Sequence, residues 1–108
     1  MNNRFEIAKE FAEKIKSDKI KQIILFGSVA RGEDNEESDI DILIVSDEWE
    51  SIDSKITDEI FEFVLNKNEL ISPHIISEKR FNETKDFTFL TNVMKEGVRI
   101  GWTSCIYR

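Results

Sequence analysis

The stretch LFGSVARGEDNEESDIDILIV, residues 25–45, decides how this chain is read. It sets two aspartates, Asp39 and Asp41, at the start of an otherwise apolar run, a short way after Gly27 and Ser28. An unpartnered carboxylate is expensive in low dielectric, so the pair must be wet, paired or holding a cation. Successive side chains of a strand point to opposite faces, so Asp39 and Asp41 share one face while Ile40, Ile42 and Ile44 share the other. At about 3.3 Å rise per residue their Cα atoms lie roughly 6.5 Å apart, which lets both carboxylates converge on one small ion. Oxygen-only ligands at that spacing suit Mg²⁺ or Mn²⁺, which accept a few carboxylates together with phosphate oxygens and water.

Upstream, the β-branched run IKQIILF, residues 20–26, reads as a strand ending at Gly27. Gly-Ser followed by Val-Ala-Arg-Gly predicts a tight turn into a very short helix, with Ser28 as its N-cap and Gly32 as its terminator. Gly27 permits close backbone approach to a ligand, and the free N–H groups of the helix start make an anion site, with the Ser28 hydroxyl as a further donor. A phosphate-holding turn facing a metal-holding strand is the minimum equipment for phosphoryl or nucleotidyl transfer. The sequence has no Gly-Lys-Ser/Thr, so the turn is not a P-loop.

The remaining pattern alternates helix and strand. Phe5, Ala8, Phe11, Ala12 and Ile15 fall at helical spacing within residues 3–18. Ile52, Ile56, Ile60, Phe63 and Val64 do the same within residues 51–65, with Ser51 or Asp53 as a possible start. The run ELISPHIIS, residues 69–77, predicts a third strand that Pro73 pushes toward a sheet edge or a distortion. Residues 78–83 read as a short turn or helix, 86–100 as a helix stopped near Gly97, and the last residues as a short strand or an irregular end. These elements predict one α+β domain over residues 1–108, a two-layer α/β arrangement in which helices pack on a small mixed sheet of three to four strands.

Composition narrows the function. The 22 acidic and 15 basic residues give a formal charge of -7, which argues against broad capture of nucleic acid through phosphate neutralisation. No apolar run approaches the roughly 20 residues that span a bilayer. The lone Cys105 has no internal disulfide partner, and the amino terminus lacks the layout of a signal peptide, so a soluble, cytoplasmic protein is expected.

The segment GSVARGEDNEESDID, residues 27–41, matches the Gly-Ser, ten residues, Asp-x-Asp signature of the DNA polymerase beta-like nucleotidyltransferase superfamily. Its longer form, Gly-Ser-x-Ala-Arg-Gly and then Ser-Asp-x-Asp, resembles the minimal nucleotidyltransferase (MNT) branch, which includes the antitoxins of HEPN/MNT toxin–antitoxin systems. The resemblance covers nearly the whole chain and implies the polymerase beta-like fold. It implies that Gly27 and Ser28 contact the β and γ phosphates of ATP or another NTP, and that Asp39 and Asp41 ligate the divalent ions. It also implies transfer of AMP from ATP to a tyrosine hydroxyl of a helical HEPN partner.

One departure stands out. Fully equipped relatives of that branch carry a third carboxylate on the next core strand, where LISPHIIS, residues 70–77, has none; Glu69 and Glu78 only flank it. Ser72, His74 and Ile76 share one face of that strand, and His74 is a candidate replacement base, the alternative being a partly exposed strand histidine. Arg31 has two readings, contact with the nucleotide or an ion pair that orients a motif acid. The function expected is therefore a metal-dependent nucleotidyltransferase acting on a HEPN toxin. The alternative is a catalytically weakened nucleotide-binding or toxin-binding module that neutralises its partner by complex formation.

Overall fold

The computed structural model describes residues 4–35, 37–84 and 97–102. In chain order these form α1 (Arg4–Ile15), β1 (Ile20–Phe26), α2 (Gly27–Arg31), β2 (Ile40–Ser46), α3 (Trp49–Lys67), β3 (Ile71–Ile76), α4 (Glu78–Thr84) and β4 (Val98–Trp102). The strands make one sheet in the order β3-β2-β1-β4. β1 is antiparallel to both β2 and β4, whereas β2 and β3 run parallel, joined by the α3 crossover. The expected mixed sheet with packed helices is the one observed. β3 is an edge strand, where the missing N–H of Pro73 is tolerated.

The alternation of β2 sorts its side chains between two apolar layers. Ile40, Ile42 and Ile44 join Ile23, Leu25 and Ile71 beneath α1 and α3, which contribute Phe11, Ile15, Ile52, Ile56 and Phe63. Phe11 and Phe63 meet edge to face, with ring centroids 5.6 Å apart, and lock the two helices together. On the opposite face Ile24, Phe26, Leu43 and Val45 pack with Phe81 of α4. Asp41 belongs to this second face, two residues ahead of Leu43, so the acidic end of β2 continues a thinner apolar layer instead of entering the main core.

Several expectations need correction. Phe5, placed by spacing on the buried side of α1, is 40% exposed, while Arg4 is 6% exposed. The helix start is turned inward by the ion pairs of Arg4 with Asp34 and Glu69, and the Lys9 ammonium covers the Phe5 ring instead. α3 begins at Trp49, earlier than Ser51 or Asp53, because the Ser46 hydroxyl accepts the Glu48 N–H and fixes the turn before the helix. Val64 lies at the margin of α3's buried stripe and is exposed. The helix expected over residues 86–100 falls mostly outside the described residues, and Val98–Ile100 belong to β4.

Ile44 is fully buried in the main layer. Ile44→Ala is expected to lower unfolding free energy by about 2–5 kcal/mol, read from the shift of the urea midpoint at unchanged slope.

Candidate functional site

The site is built where β1 ends and β2 begins. Because these strands are antiparallel, Phe26, the last residue of β1, lies opposite Asp41. The next residue, Gly27, takes φ +78°, a left-handed conformation that glycine adopts without penalty, and opens α2 directly against the Asp41 side chain. A Cβ built on Gly27 would overlap Asp41 Oδ2 and lie 3.2 Å from both the Cβ and Cγ of Asp41. Glycine here therefore makes room for the carboxylate, a requirement additional to any approach by a ligand. Sequence reasoning missed it, although antiparallel pairing of the two strands would have brought the two ends together.

Ser28 does not cap α2 as expected. The N-cap position falls on Phe26, in extended backbone, and no side chain caps the helix start. The strand runs straight to Phe26 and the sharp turn at Gly27 starts the helix two residues early, which places half-buried Ser28 inside the first turn. Gly32 terminates α2 as expected, at φ +73°, with the N–H of Gly32 and Glu33 closing on the carbonyls of Val29 and Ser28.

Across β2, Asp39 is exposed and Asp41 is partly buried. Parallel pairing of β2 with β3 puts Ser72 opposite Asp41 and His74 opposite Leu43, all on the face Asp41 occupies. His74 Nε2 approaches Asp41 Oδ1 to 4.0 Å, and its ring lies tilted on Phe26 at 5.4 Å between centroids. The structure thus brings Gly27 and His74 up to Asp41, with Asp39, one residue before β2, near enough for its charge to act on Asp41. Arg31 is placed at the margin: its Nε donates to Glu33 Oε1 at 2.9 Å, an ion pair with the loop that follows α2. Its charge is nevertheless felt at Asp41.

Burial pushes the Asp41 carboxyl above the usual carboxylate range; His74 pulls it down, the Asp39 charge raises it further, and Arg31 lowers it. Two acids, one of them partly desolvated and repelled by the other, form an oxygen donor set that a divalent cation would relieve, so the residues fit such an ion. Asp39 and Asp41 would hold it from the protein side. Among the described residues no group of three or more acids, histidines or cysteines is gathered to hold a metal.

A raised folded-state pKa means that stability falls as pH climbs from the ordinary carboxylate value through the raised one, since the folded state holds its proton longer. Asp41→Asn is therefore expected to melt above wild type at neutral pH in the presence of EDTA, with the gap closing in acid, as followed by circular dichroism. Gly27→Ala is expected to cost about 1–3 kcal/mol in urea unfolding, because a side chain at positive φ is strained and the Asp41 carboxylate must move.

Comparison with known proteins supplies the context for this geometry. The family model for the nucleotidyltransferase domain matches residues 6–100. A relative from Methanocaldococcus jannaschii named "Putative protein adenylyltransferase MJ0604" is 41% identical over 99 residues, covering 88% of this chain and 95% of its own. Among solved structures, a toxin–antitoxin with AMP-PNP aligns with TM-score 0.54 at 16% identity, over 96% of this chain and 77% of that one. A tri-AMPylated Shewanella oneidensis HEPN toxin in complex with MNT antitoxin aligns with TM-score 0.51 at 14% identity, over 93% and 74%. At such low identity these structures speak to the fold alone, whereas the family model spans most of the sequence. With its Gly-Ser turn seated against the Asp-x-Asp strand, the chain belongs to the nucleotidyltransferase domain family.

Proposed function

We propose that this protein transfers AMP from ATP to a hydroxyl, best met by a tyrosine, on a helical HEPN-type partner in the cytoplasm, and so acts as an antitoxin. The observation that carries the proposal is the contact of the Gly27 turn with Asp41 on the face that also presents His74, with Asp39 one residue before the strand. One turn and one strand start are thereby held at fixed separation, which suits the two ends of a single extended ligand. Gly27 and Ser28 bind the β and γ phosphates, with Arg31 at the margin of the same turn. Asp39 and Asp41 hold Mg²⁺ or Mn²⁺, which when bound neutralises charge on the phosphate oxygens. The acceptor oxygen bonds to the α-phosphorus, the bond to the β-phosphate oxygen breaks, and pyrophosphate leaves along the Gly27–Ser28 turn. His74 Nε2 takes the proton of the acceptor hydroxyl.

The name of the Methanocaldococcus jannaschii relative and the AMPylated toxin in the Shewanella oneidensis complex support this choice of donor and acceptor. A second reading is favoured by β3, which presents His74 where a third carboxylate would complete the ligand set. In that reading the protein binds nucleotide and partner and neutralises the partner by forming a complex, without transfer.

Incubation with labelled ATP, Mg²⁺ and a HEPN partner is expected to label that partner, and Asp39→Ala or Asp41→Ala to abolish the label. A neutralising complex that forms without label, with any NTP, would replace the transfer reading by the binding one. His74→Ala is expected to slow transfer by about tenfold or more while ATP affinity is kept, in line with the usual contribution of a proton-transfer group; an unchanged rate removes His74 from the reaction.

A further inference from the structure

We infer that Arg4, far from the site in sequence, is a positioning residue that sets Asp39 opposite Asp41; its consequence for catalysis rests on the transfer reading, its consequence for geometry does not. Arg4 opens α1 and is nearly buried. Its Nε donates to Glu69 Oε1 at 2.8 Å, and one terminal nitrogen donates to Asp34 Oδ2 at 3.2 Å and to the Asn35 carbonyl. A planar guanidinium can hold three acceptors at fixed angles in this way, and a lysine ammonium does not reproduce the fork.

What the acceptors have in common is their place in the fold. Asp34 and Asn35 lie in the connection from α2 to β2, and Glu69 lies between α3 and β3. The Asn35 carbonyl also accepts the Ser38 N–H at 3.0 Å, the Ser38 hydroxyl accepts the Asn35 N–H at 3.0 Å, and the Asn35 side chain accepts the Glu37 N–H at 2.8 Å. This closed turn delivers the chain to Asp39. Asp39 stands one residue before β2 and outside its strand pairing, so the turn, not the sheet, determines where its carboxylate lies. On the other arm, Glu69 precedes Leu70, whose carbonyl accepts the Ile40 N–H at 3.0 Å, between the two aspartates. Arg4 therefore ties together the turn that aims Asp39 and the joint that starts β2 beside β3.

Arg4→Lys keeps the charge and loses the fork. It is expected to fold, to lose hydrogen-exchange protection at the Glu37 and Ser38 amides, and to bind Mn²⁺ about tenfold more weakly, the usual effect of removing a group that orients a ligand. With a HEPN partner and labelled ATP, kcat per folded molecule, with the folded fraction read by circular dichroism, should fall while KM for ATP stays near wild type. If Arg4→Lys fails to fold, the Asp34→Asn, Glu69→Gln double variant carries the same expectations. Protection and Mn²⁺ affinity within about twofold of wild type in a folded variant would overturn the inference, as would lost protection with unchanged Mn²⁺ affinity. Should wild type bind no Mn²⁺ or transfer no AMP, the proposed function fails and hydrogen exchange alone decides the role of Arg4.

Discussion

The arrangement of this protein depends on the close approach of the Gly27 backbone to the Asp41 carboxylate. Any side chain at position 27 would displace the Asp41 carboxylate, and with it the fit of the turn against that acid. The same approach partly buries Asp41 beside Asp39, and that burial raises its pKa. A carboxylate held at such a cost fits the familiar trade between stability and preorganisation.

The sheet supplies the rigidity that this contact needs. β2 is central, flanked by β1 and β3, and its isoleucines anchor it under α1 and α3. The candidate site is consequently carried on a well-packed strand, while Asp41 and His74 lie on the thinner side, where α4 adds Phe81. Partial burial matters here. Complete burial would neutralise Asp41 outright, and full exposure would leave the two acids free to part.

Much of this was legible in the sequence because period-2 alternation is a strong signal: the placement of Asp41 on the face away from the core isoleucines of β2, the terminator role of Gly32 and the edge position of β3 all follow from local rules. Asp39 was expected to open the same strand, but strand pairing begins only at Ile40. What was not legible depends on tertiary pairing. Ser28 looked like an N-cap by residue type, but the point where β1 gives way to helix is set by the strand's register with β2. Phe5 looked buried by spacing, yet the carboxylates of Asp34 and Glu69, 30 and 65 residues away, drew Arg4 inward instead. Arg31 was open to contact with the nucleotide or with a motif acid, and its Nε also pairs with Glu33, two residues along the chain. Charges choose partners across distances that periodicity does not encode.

Pro73 has a consequence beyond its effect on β3. An edge strand exposes a row of backbone donors and acceptors that invites another strand to add, and proline in such a strand removes a donor from the outward side. Here that edge lies next to the functional face, because His74 follows Pro73. The interruption discourages the sheet from being extended past its working end by a second copy or a stray extended segment. Pairing by backbone along that edge therefore lacks one donor right beside His74, and selection there shifts toward side chains.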